Sequence, residues 1–87
     1  MTTIERACQF LDRVASTLRE KNAAYGDSCA NPVRIFSQAD HVEGVRVRID
    51  DKLSRISRGT AAGEDVLLDL VGYLSILWAM THGKDEP

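Results

Sequence analysis

Long stretches with apolar residues at helical spacing alternate with short polar connectors along this chain. From about Thr3 to about Ala24, apolar side chains recur at Ile4, Cys8, Leu11, Val14, Ala15 and Leu18. Steps of three and four residues put them on one face of a helix. Thr3 is the expected N-cap and Gly26 the expected stop. The outer face, with Asp12, Arg13, Arg19 and Glu20, is expected to meet water. After the loop G-D-S-C-A-N-P, Asn31 before Pro32 marks a helix start. Val33 to about Ala39 then reads as a short helix carrying Ile35 and Phe36.

Asp40 with Glu43 resembles a capping box at the head of a third helix, about His41 to Arg58. Its stripe is Val42, Val45, Ile49, Leu53 and Ile56, and Gly59 ends it. Val45, Val47 and Ile49 also alternate like a strand, but the helical spacing continues through Ile56 and favours a helix. A fourth helix spans Glu64 to about His82, with Glu64 and Asp65 suited to its N-terminal dipole and His82 to its C-terminal end. Between Val66 and Met80 only Asp69, Gly72 and Ser75 are neither apolar nor aromatic. A helix apolar nearly all round must be buried on most sides.

The predicted fold is therefore all-α. It is a small helical bundle of two long antiparallel helices, an N-terminal helix and a short helix, completed by a second subunit. Residues 1–83 form one domain, and 84–87 are a frayed tail. A chain of 87 residues holds one domain at most, and at that size oligomerisation is a common route to stability.

The formal charge of -2 argues against a duplex DNA-binder that works through bulk electrostatics. It leaves room for a small nucleotide held by a local basic cluster. No basic leader precedes an apolar run, and no segment reaches the ~20 apolar residues of a membrane span. A cytosolic protein is expected. Cys8 and Cys29 have neither CxxC nor zinc-site spacing and are expected to be reduced thiols, Cys8 as part of the core.

Three clusters carry candidate chemistry. On the third helix Arg48, Asp51 and Arg55 share a face bordered by Lys52 and Arg58. They form either a solvated ion-pair ladder or a phosphate clamp, in which Asp51 positions the planar guanidinium forks. On the fourth helix Asp65, Asp69 and Tyr73 follow at steps of four. Asp69 stands between Leu68 and Leu70, so it needs a partner. That partner is a cation of the third helix (Arg48, Arg55 or Lys52), or Asp69 serves as a metal ligand or proton acceptor. Gly72 in mid-helix suggests close approach of a backbone or ligand. The third cluster is Lys21 to Ser28, K-N-A-A-Y-G-D-S. A glycine-terminated helix end explains Lys21 and Gly26. Asn22, Tyr25, Asp27 and Ser28 add an amide, a ring, a carboxylate and a hydroxyl that could recognise a base or sugar.

In this order, K-N-x-x-Y-G-D-S, a segment with I-F, R-I-D-D-K-L-S-R-I and E-D-V-L-L-D-L-V-G-Y-L resemble the nucleotide modification associated domain 1 family of small phage and bacterial proteins. The resemblance covers roughly residues 21–77. It implies an α-helical domain linked to nucleotide or DNA-base modification, in the host cytoplasm if phage-encoded. The matching positions are Lys21, Asn22, Tyr25, Gly26, Asp27, Ser28, Arg48, Asp51, Lys52, Arg55, Glu64, Asp65, Asp69 and Tyr73. A looser similarity is to all-α nucleoside triphosphate pyrophosphohydrolases, which bind Mg²⁺ between acidic helices carrying E-x-x-E and E-x-x-D. Here Asp50 and Asp51 are adjacent, and Asp65 and Asp69 are four apart.

Three functions follow as expectations. As a hydrolase, Asp51, Asp65 and Asp69 would hold Mg²⁺, which would activate water. Arg48, Lys52 and Arg55 would bind phosphates, and the Tyr25 loop would cover the base. As a non-catalytic binder, the chain would sequester a nucleotide between the subunits of a dimer or larger homo-oligomer. As a structural or partner-inhibiting protein, its carboxylates would pair only with the arginines, and the apolar fourth helix would drive assembly.

Overall fold

The computed structural model describes residues 1–26, 40–59 and 65–82. The described residues form three α-helices and no strand: α1 (Thr3–Tyr25), α2 (His41–Arg58) and α3 (Val66–Thr81). The all-α reading holds. The short helix expected over 33–39, the loop residues Asp27 and Ser28, Cys29, Glu64 and the tail lie outside the described residues.

Each helix begins where a polar side chain can satisfy unpaired amides, though two of the caps differ from expectation. At α1 the cap is Thr2, one residue earlier than predicted. Its hydroxyl accepts the Glu5 N–H at 3.0 Å, and the Glu5 carboxylate accepts the Thr2 N–H at 3.1 Å. That reciprocal pair uses the acid three residues after the cap, which Thr2 has and Thr3 lacks. At α2, Asp40 occupies the N-cap position, but its side chain makes no capping hydrogen bond. The expected box is not formed, and the Glu43 carboxylate lies 3.3 Å from Arg46, one turn on. At α3, Asp65 caps by accepting the Leu68 N–H at 3.2 Å, so the helix proper starts at Val66. Gly59 ends α2 in the left-handed conformation (φ 67°, ψ 25°) and donates its N–H to the last-turn carbonyls of Arg55 and Ile56. A side chain is disfavoured in that backbone geometry.

α3 is the hub. It packs chiefly on α2 and also on α1, whereas among the described residues α1 and α2 do not pack on each other. The buried apolar side chains are Val14 of α1, Val45 and Ile49 of α2, and Val66 of α3. Gly72 of α3 is also buried, against Leu18 of α1. A β-carbon built at Gly72 would stand 3.6 Å from Leu18 Cδ2, which is ordinary contact. The close approach expected there is thus no tighter than an alanine would allow.

Several large apolar side chains among the described residues are exposed. The N-terminal half of the α1 stripe is open: Ile4 is 72% exposed, Leu11 53%, and Cys8 is exposed rather than part of the core. The reason is reach, since every residue from Met1 to Gln9 is exposed and only the later turns of α1 meet α3. On α2, Leu53 and Ile56 at the end of the predicted stripe are exposed as well. No helix among the described residues is long and apolar enough to cross a membrane.

Candidate functional site: a cationic junction on Asp69

Asp69 lies in the first turn of α3, and its carboxylate is the point on which the other two helices converge. Lys52 of α2 places its ammonium 3.3 Å from Oδ2. Lys21 of α1 places its own 3.9 Å from Oδ1. Lys52 is only 15% exposed and Asp69 28%, whereas Lys21 is 61% exposed. A half-buried carboxylate is costly unless paired, and two lysines from two helices meet that need. The partner on α2 is thus Lys52, one of the three cations the sequence offered. Lys21, four residues before the end of α1, also approaches this carboxylate across the fold.

The α2 face continues the basic surface. The Arg48 guanidinium carbon lies 5.9 Å from the centroid of the Tyr73 ring, at the outer edge of a cation–π contact. Spacing explains this contact: Tyr73 is one turn beyond Asp69, and Arg48 one turn before Lys52. Arg55 Nε meets Asp51 Oδ2 at 3.3 Å, so the arginine–aspartate pair expected within α2 is formed. Lys21, Arg48, Lys52 and Arg55 set four positive charges beside the two carboxylates of Asp51 and Asp69. Such a surface favours an anionic ligand, and arginine forks match phosphate oxygens.

The three carboxylates considered for a metal are drawn to different partners. Asp51 pairs with Arg55. Asp65 pairs with Arg13 Nη2 at 3.1 Å through Oδ2 while Oδ1 caps α3. Asp69 pairs with the two lysines. Among the described residues no three histidine, cysteine or acidic side chains stand together as a metal-ligand set. A ligand set would have to be assembled by breaking these pairs.

Of the loop cluster, Asn22 is exposed on α1 and Tyr25 is the last residue of that helix. Sequence reasoning missed Arg13, assigned to the solvated face. It reaches across to Asp65 and ties α1 to the start of α3. Its only sequence signal is a place on the face opposite the apolar stripe, which many exposed arginines share. Comparison with models of protein families, with curated proteins and with solved structures finds no match.

Proposed function

We propose that the junction of the three helices binds a phosphate-bearing small molecule, a nucleotide, without needing a metal ion. The observation that carries this reading is the convergence of Lys21 and Lys52 on Asp69 from α1 and α2, which do not pack on each other among the described residues. A phosphate entering beside Asp69 draws on ammonium groups already gathered there, so little side-chain ordering remains to be done. Arg48 and Arg55 extend the phosphate surface along α2, and the Tyr73 ring under Arg48 offers a flat face for a base. The resemblance to small nucleotide-associated phage and bacterial proteins points the same way.

Binding without catalysis is preferred over Mg²⁺-dependent hydrolysis for a specific reason. Asp51, Asp65 and Asp69 each hold a cationic side chain, and Asp65 is further engaged as a helix cap. The test is a thermal-shift screen of nucleoside mono-, di- and triphosphates, each in EDTA and in Mg²⁺. A ligand that binds only the folded chain raises its melting temperature. A rise in EDTA supports the reading. A rise only in Mg²⁺, with pyrophosphate released, supports the hydrolase. No shift with any nucleotide leaves the ion pairs as structural.

A further inference from the structure

We draw no further inference here: the strongest candidate, the apolar surface patch of α3 at Leu67, Leu74 and Trp78, carries nothing because nothing among the described residues shows what covers it.

Discussion

Lys52 and Asp69 form the most sheltered ion pair among the described residues, 3.3 Å apart with the lysine 15% exposed. The pair ties α2 to α3, and Lys21 adds α1 to the same carboxylate. Its substitution should therefore touch both stability and binding, but unequally. Lys52→Met keeps the packing of the stem and leaves Asp69 with Lys21. We expect a stability loss of about 1 kcal/mol in chemical denaturation. Nucleotide affinity should fall tenfold or more, since a charge-assisted hydrogen bond is worth about 1.5–3 kcal/mol. Equal affinity in the variant and the wild type would show that Lys52 does not face the ligand.

Asp69→Asn separates the two chemical readings. The amide keeps the shape and removes the charge that competes with phosphate for the lysines. Metal-free binding predicts affinity retained or raised, measured by calorimetry in EDTA. A Mg²⁺ site predicts that binding in Mg²⁺ is abolished, because a carboxylate ligand has been lost.

Asp65 performs two tasks that different substitutions separate. Asparagine is as good an N-cap as aspartate, whereas alanine is not. Asp65→Asn should therefore keep the bond to the Leu68 N–H and lose only the exposed pair with Arg13. A cost of less than about 1 kcal/mol is expected. Asp65→Ala loses the cap as well and should cost about 1–2 kcal/mol more. Equal losses in thermal or chemical denaturation would place the stabilising role in the ion pair instead.

Gly72→Ala should stabilise the chain by about 0.5–1 kcal/mol, because alanine is the better helix former and the site admits its methyl group. A lower melting temperature would mean that Leu18 does not yield to the added methyl group.

The sequence made α1 and α2 legible because each carries a strong period and a terminating glycine, whereas α3, apolar nearly all round, was legible from its long apolar run and the acidic cap at its start. The α2 bounds agree residue for residue with the expected His41 to Arg58, since Gly59 supplies the left-handed stop. The cap residues were less legible. Adjacent threonines both fit the pattern at α1, and Glu43 had a competing cation in Arg46 that a capping rule does not weigh. At the site, spacing along one helix found Arg55 with Asp51 but could not rank Arg48, Lys52 and Arg55 as partners for Asp69. That choice depends on how α2 lies against α3. Lys21 and Arg13 were harder still, because their partners belong to another helix more than forty residues away. Exposure of Cys8 was misread for a related reason. An apolar stripe tells which face seeks cover, not how far the neighbouring helix extends.

The most direct measurement is a calorimetric titration of nucleoside mono-, di- and triphosphates into the wild-type chain in EDTA, repeated at rising salt and in Lys52→Met. Saturable binding without metal is expected, weakened by salt as exposed charges are screened, and reduced at least tenfold in the variant. No binding of any of these nucleotides in EDTA, or equal binding by Lys52→Met, would contradict it.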